Sequence, residues 1–270
     1  MVRSRLIFTL LFADGVYNLS RNFRLQKVGD LEWVLNNYEF QSIARSIDEL
    51  IVLDVNRSEQ RDVVGLCGAL RNLGRDCFMP LAAGGGVRCL ADARQLFAAG
   101  ADKLVLNSAY FLDPDFVREA VKIYGAQSIV ASLDYRKEQN GTRQVYFANG
   151  SQVSSFSLQE AVTYVRDVGV GEIYMTSIDN DGTGNGFDME ALSLVAPSCP
   201  IPIIASGGAG NHLHFSEALK SGLVTAVSTA NLFNFMADGL ADARSSLVLD
   251  GVDLSVWHFP EDNHPVRGIG

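Results

Sequence analysis

"PLAAGGGVRCLADARQLFAAGADKLVLNSA", residues 80–109, decides the architecture. It opens on an apolar run of strand length that breaks into three glycines. A segment of helical length follows and closes on Gly100, the residue type that commonly ends a helix. A second apolar run, "KLVL", then leads to Asn107 and Ser108. The same order returns at residues 202–231 as "PIIASGGAGNHLHFSEALKSGLVTAVSTAN". Gly85 falls on Gly207 and Gly100 on Gly222, each pair 122 residues apart. Asp54 in "ELIVLDV" and Asp179 in "EIYMTSID" make a third landmark at a spacing of 125. Self-similarity at a nearly fixed spacing reports duplicated architecture.

Working outward, short runs rich in Val, Ile and Leu recur along the whole chain: "RLIFTLLF", "DELIVLDV", "CFMPLAAGGGV", "ADKLVLNSA", "SIVASLDY", "GEIYMTSID", "IPIIASGGAG" and "VTAVSTANLF". Between them lie helical segments that end in glycine, such as "DPDFVREAVKIYG" and "SLQEAVTYVRDVG". Continuous apolar strands alternating with helices imply parallel strands covered on both faces. Two units of four strand–helix pairs predict an α/β fold, a (β/α)8 TIM barrel with a twofold half-barrel repeat. The barrel is expected over residues 1–250, with 251–270 as a C-terminal tail. Aligning "RLIFTLL" with "SIVASLD" sets Leu11 opposite Asp134, a spacing of 123. One half thus carries a carboxylate where the other carries leucine.

Composition narrows the function classes. Of 270 residues, 47% are hydrophobic and 20% charged, the balance of an ordinary globular protein. A net charge of −9 without any basic run argues against nucleic acid as partner. The first apolar stretch meets Asp14 too soon for a signal peptide, and no run reaches the ~20 apolar residues of a membrane span. Cys67, Cys77, Cys89 and Cys199 have no CxxC spacing, which reads as buried thiols in a reduced, cytoplasmic setting.

Active sites of such barrels lie at the C-terminal ends of the strands. There the sequence places two glycine-rich loops, each followed by a polar strand end. Glycine lets backbone N–H groups approach an anion closely. Gly85 and Gly86 with Asn107 and Ser108 would form one phosphate cradle. Gly207 and Gly208 with Gly182, Ala230 and Asn231 would form the other, across the mouth. A long ligand with a phosphate at each end is the natural occupant. Asp134 is the candidate general acid or base. Asp181 would orient substrate or cap its loop, and Asp54 would hold neighbouring strand ends. His212 and His214 read as the start of a covering helix, and His258 and His264 receive no role. No metal or cofactor is expected. "RKEQNGTRQVYFANGSQVSSF" reads as a hairpin over the mouth with Asn140-Gly141 as its turn.

Together "DELIVLD", "AAGGGVR", "GADKLVLNSA", "SIVASLDYR", "GEIYMTSIDNDGTGNGFD" and "IPIIASGGAG" resemble the cyclase subunit of imidazole glycerol phosphate synthase, the HisF family, over most of residues 3–240. The resemblance implies a barrel that receives ammonia from a glutaminase subunit (HisH-like) through its axis. It implies a bis-phosphorylated ribulosyl substrate that ammonia cleaves and cyclises. It implies that Arg5, Glu49, Lys103 and Glu172 form the charged ammonia gate at the barrel base. It carries the family's second carboxylate to Asp134, its assisting one to Asp181, and its phosphate contacts to Gly86, Asn107, Ser108, Gly182, Gly208, Ala230 and Asn231. The last of these is serine in the family.

Two positions depart from the family pattern. Its first-strand aspartate falls on Leu11, and its flexible-loop lysine falls near Leu19, with Arg21 as a replacement charge. Leucine cannot move a proton. Three readings follow. The first is a specialised paralogue that uses channelled ammonia on another phosphorylated substrate, of the kind associated with amidino-sugars of surface polysaccharides. The second is an ordinary histidine-pathway cyclase in which Asp14 supplies the missing acid. The third is a silent conduit that activates the glutaminase. The first fits a kept gate and a broken carboxylate pair.

Overall fold

A parallel strand has two faces, and both must be covered here. The computed structural model describes residues 3–37, 46–57, 63–75, 79–231 and 239–255. Its twelve strands are β1 (Arg5–Ala13), β2 (Val16–Arg21), β3 (Arg24–Gly29), β4 (Glu49–Asp54), β5 (Leu81–Gly84), β6 (Lys103–Leu106), β7 (Ile129–Lys137), β8 (Arg143–Phe147), β9 (Gln152–Ser157), β10 (Glu172–Ser177), β11 (Ile203–Ser206) and β12 (Ala226–Thr229). Eight of them pair in parallel, in the circular order β1, β4, β5, β6, β7, β10, β11, β12 and back to β1. The chain is a closed (β/α)8 barrel, as the sequence predicts.

The covering helices are α1 (Leu31–Asn37), α2 (Val64–Leu73), α3 (Leu90–Ala98), α4 (Ala109–Leu112), α5 (Pro114–Tyr124), α6 (Leu158–Val168), α7 (Met189–Val195), α8 (His212–Lys220) and α9 (Gly239–Leu249). Local chemistry sets their ends. Asp113 caps α5 by accepting from the Phe116 N–H, with Pro114 in the first turn. Ser157 and Glu160 form a capping box on α6, and Gly169 ends it in the left-handed conformation. His212 and His214 do open the covering helix α8, where His214 Nδ1 accepts from the Gly210 N–H.

Alternation along the strands divides the core. Leu6, Phe8, Leu10 and Phe12 of β1 join the large cluster under the helices. A separate inner cluster takes Ile7, Ile51, Ala82, Val105, Val130, Tyr174, Ile204 and Ala226. That is one residue from each barrel strand, a complete layer across the axis. Arg5, Thr9 and Leu11 share the parity of Ile7 and so face inward.

The register also tests the repeat. Leu11 pairs with Leu53 and Asp134 with Thr176, which keeps the 123-residue spacing. Phe12 pairs with Asp54 and Tyr135 with Ser177. Asp54 therefore corresponds to Ser177, and the landmark that matched it to Asp179 is off by two residues. The glycine loops agree. A Cβ at Gly85 would lie 2.1 Å from the Asp54 carbonyl oxygen, and one at Gly207 would lie 2.6 Å from that of Ser177.

Two antiparallel hairpins extend the barrel at its mouth, one from each half. β1 turns into β2 through Asp14-Gly15, both at positive φ (51° and 79°), as a two-residue hairpin turn requires. β2 returns as β3 through Asn22 and Phe23, at φ 50° and 61°. β7 continues into β8 through the expected Asn140-Gly141 turn, with Gly141 at φ 84°. The reading of the thiols needs correction. Cys67 is buried, but Cys89 is exposed as the first residue before α3, and Cys199 is half-buried. Cys77, His258, His264 and the tail beyond residue 255 lie outside the described residues.

At the base, a buried pair ties the last helix to the first strands. Arg244 of α9 donates to both carboxylate oxygens of Asp48, at 2.9 and 3.0 Å, and Asp48 Oδ2 accepts from the Leu6 N–H at 2.8 Å. Ser4 N donates to the Asp253 carbonyl, so residues up to 255 pack on the base. Removing one member of a buried pair leaves the other charge uncompensated. Arg244→Met should lower the unfolding free energy by about 3 kcal/mol, read as a drop in denaturant midpoint. Adding Asp48→Asn to that variant should recover part of the loss.

Candidate active site at the barrel mouth

Asp134 sits at the mouth end of β7, where alternation turns it toward the axis. It is buried, and Asn107 of the β6 loop donates to its Oδ2 at 3.1 Å. Burial, with the Asp181 charge nearby, pushes its carboxyl up to about 7, against the pull of its hydrogen bonds. A carboxyl near 7 is populated both as acid and as base at neutral pH. Leu11 occupies the twofold-related place on β1, diametrically across the mouth, and is 8% exposed. Asp14 does not reach that place. It is exposed in the β1–β2 turn, where its Oδ1 accepts from Asn56 at 2.6 Å.

Asp181 lies in the loop after β10 and is engaged by the first hairpin. Ser20 Oγ donates to Asp181 Oδ2 at 2.5 Å and the Phe23 N–H donates to the same oxygen at 3.0 Å. Asn22 donates to the carbonyls of Ile178 and Asp179. Burial holds the Asp181 carboxyl above its usual value although these bonds oppose it. A Cβ at Gly182 would lie 2.1 Å from the Ser20 carbonyl, so only glycine permits this docking. Phe23 holds a left-handed φ that bulky residues rarely adopt. Its ring lies against Gly150 of the β8–β9 turn, so the two hairpins meet over the mouth.

The docked hairpin walls a cavity of about 180 Å³. Gly182, Gly207, Gly208, Ala230 and Asn231, which the sequence reading assigns to one cradle, line it together, and Asp181 lines it too. Gly207 and Gly208 hold φ of 83° and 112°, so successive amides can turn toward one anion. Arg21 and Ser206 line the cavity too, and so do Arg24 and Gln26, which the sequence reading left out. Arg24 opens β3, and only recognition of a second hairpin in "GVYNLSRNFRLQKVG" would have found it. The other cradle groups lie at the opposite side of the mouth. Gly85 and Gly86 hold φ of 104° and 71°. Asn107 is tied to Asp134 and to the Ser132 carbonyl, and Ser108 Oγ accepts from the Ala148 N–H of the second hairpin.

The base carries the other charged feature. Arg5 bonds Glu49 at 2.8 Å and also Glu172, while Lys103 bonds Glu49 at 2.9 Å and Glu172 at 3.1 Å. Each carboxylate serves both cations, so the four residues close one ring of alternating charge. Burial raises the Glu49 carboxyl, and Lys103 offsets part of that. The ring stands one inward step below the aliphatic layer.

Residues 25–237 match the family described as histidine biosynthesis protein. The chain is 41% identical over 244 residues to a protein of Parasynechococcus marenigrum (strain WH8102) that is provisionally named imidazole glycerol phosphate synthase subunit hisF2, covering 90% of each chain. It is 33% identical over 257 residues to imidazole glycerol phosphate synthase subunit HisF of Streptococcus mutans, covering 94% of this chain and all of that one. The HisF subunit of Streptococcus sanguinis is 32% identical over 259 residues, with 95% and 100% covered. Among the described residues no helix is long and apolar enough to cross a membrane.

The raised Asp134 carboxyl makes stability depend on pH. Between 3.8 and about 7 the native state keeps a proton that the unfolded chain releases, so stability falls as pH rises through that window. Asp134→Asn stays neutral throughout. It should match the parent near pH 4 and exceed it at pH 8, by up to about 4 kcal/mol. Denaturant titrations of both proteins at the two pH values check this.

Proposed function

Because this chain belongs to the histidine biosynthesis family, alongside HisF subunits, we propose that it is the synthase subunit of a glutamine amidotransferase. It takes ammonia released by a HisH-like glutaminase and uses it on a phosphorylated small molecule in the cytoplasm. It does so as a specialised paralogue of the histidine-pathway cyclase, in a role such as amidino-sugar formation. The observation that carries the reading is the broken pair at the mouth: Asp134 buried and poised near neutrality, with Leu11 across from it.

Ammonia enters at the base, where Arg5, Glu49, Lys103 and Glu172 act as the gate. The aliphatic layer above admits the neutral molecule and rejects ammonium, because a bare ion is far costlier to desolvate. At the mouth the substrate's two phosphates settle in the two cradles. Gly182, Gly207, Gly208, Ala230 and Asn231 take one, with Arg21 and Arg24 as counter-charges. Gly85, Gly86, Asn107 and Ser108 take the other. Asp134 moves the proton. Asp181 keeps the first hairpin in place through Oδ2 and can orient substrate through its other oxygen.

The ordinary cyclase is the second reading, favoured by full-length similarity to two proteins named HisF. It needs a second carboxylate, and Asp14 is committed to its turn and to Asn56. The readings divide on turnover of the bis-phosphorylated ribulosyl substrate with excess ammonium at high pH. The native chain should show none or a trace, and Leu11→Asp should raise the rate by at least about 100-fold. Asp134→Asn should remove that gain. Robust native turnover would establish the ordinary cyclase instead.

A further inference from the structure

Seven of the eight residues in the inner layer are aliphatic, and the eighth is Tyr174. Its twofold counterpart is Ile51, so packing alone asks for no hydroxyl here. Tyr174 is 3% exposed, yet its hydroxyl is well partnered. It lies 2.8 Å from Ser206 Oγ on β11 and 3.2 Å from Thr9 Oγ1 on β1. Thr9 Oγ1 in turn lies 2.7 Å from Ser228 Oγ on β12. Four hydroxyls from four strands thus meet inside a barrel whose adjoining layer is hydrocarbon. By contrast, the buried hydroxyls of Tyr17, Tyr110 and Tyr124 have no partner among the described residues. Burial also pushes the Tyr174 phenol above its usual value, against the pull of its hydrogen bonds.

The place of this cluster matters as much as its chemistry. Glu172 of the charged ring is the next inward residue below Tyr174 on β10, about 7 Å away along the strand. Ser206 and Ser228 line the 180 Å³ cavity at the mouth. The tyrosine therefore stands between the ring and the cavity, and its hydroxyl bonds a cavity-lining serine directly.

Resting on the amidotransferase reading, we propose that Tyr174 is a second, inner control point on the ammonia route. Its ring closes the axis above the charged ring, and its hydroxyl, with Thr9 and Ser206, hands neutral ammonia into the cavity on the β11–β12 side. One hydroxyl of the cluster can donate to the nitrogen lone pair while the oxygen of a neighbouring hydroxyl accepts an N–H of the same molecule. Ammonium has no lone pair to receive that donor, so the relay selects the neutral base. Tyr174 acts here as a positioning residue for the nucleophile and makes no bond to substrate carbon.

The test uses the full chain in complex with a HisH-type glutaminase, with the bis-phosphorylated ribulosyl compound as probe. The parent is the native chain or, where that is inactive, Leu11→Asp. Product is measured from glutamine and, separately, from external ammonium salt, which reaches the mouth from solvent. Tyr174→Phe and Thr9→Val each remove one hydroxyl with little change of shape. Each should lower product per glutamine hydrolysed by about tenfold and leave the ammonium-driven rate within twofold. The double variant should lose little more than either single, as expected for one shared network. Unchanged coupling in both variants would overturn the role of Tyr174 and leave the amidotransferase intact. An equal fall with glutamine and with ammonium would also overturn it, by reducing Tyr174 to packing. A parent complex that makes product from ammonium alone, or from neither source, would overturn the amidotransferase reading and this inference with it.

Discussion

Alternation is the constraint on which the rest of this molecule depends. A strand in a closed parallel barrel sends each side chain either to the helices or to the axis, and nothing lies between. β1 shows the consequence. Leu6, Phe8, Leu10 and Phe12 anchor the outer core, while Arg5, Ile7, Thr9 and Leu11 climb from base to mouth. Those four inward residues belong in turn to a charged ring, an aliphatic layer, a hydroxyl cluster and the rim of the site. Chemistry and packing can change independently because they occupy different parities of the same strand. A leucine at position 11 changes the rim without disturbing the hydrophobic face.

The two halves share a frame and differ in what they place upon it. Each half sends its first strand past the mouth into a hairpin, and each has a glycine loop pressed against a neighbouring strand end. The symmetry is broken at three levels of one axis. Asp134 faces Leu11 at the rim, Tyr174 faces Ile51 in the inner layer, and at the base the charged Arg5 has the uncharged Ser128 as its twofold mate. The first hairpin is also the one that docks, through Ser20, Asn22 and Phe23, on the loop carrying Asp181.

Much of this was legible in residue types. Glycines at fixed spacing exposed the repeat: a Cβ at Gly85 or Gly207 would lie 2.1 or 2.6 Å from a carbonyl oxygen, and Gly100 and Gly222 hold positive φ of 108° and 71°. Apolar runs gave all eight barrel strands. The Asp54–Asp179 match failed because an aspartate was used as the landmark, whereas register follows the pleat and pairs Asp54 with Ser177. The first hairpin was missed because its tip, Asn22-Phe23, places an aromatic residue where a turn signal would have glycine. Arg24 and Gln26 went unseen with it. Tyr174 lies within "EIYMTS", where a tyrosine reads as ordinary strand filling. Its significance comes from Thr9, Ser206 and Ser228, which are distant in sequence and adjacent only once the barrel closes.

The ring at the base has a mechanical consequence. Its four members are joined in a loop, so no single side chain can swing away while the others stay satisfied. Displacing Lys103 strips two hydrogen bonds from Glu49 and one from Glu172 together. Such a floor behaves as a latch with two bolts rather than as a row of independent doors. Moving any one of the four at low cost therefore requires a replacement charge at the moment of release. The base of the isolated barrel is thereby closed by its own electrostatics, and any opening of it has to be matched by charge brought from outside the ring.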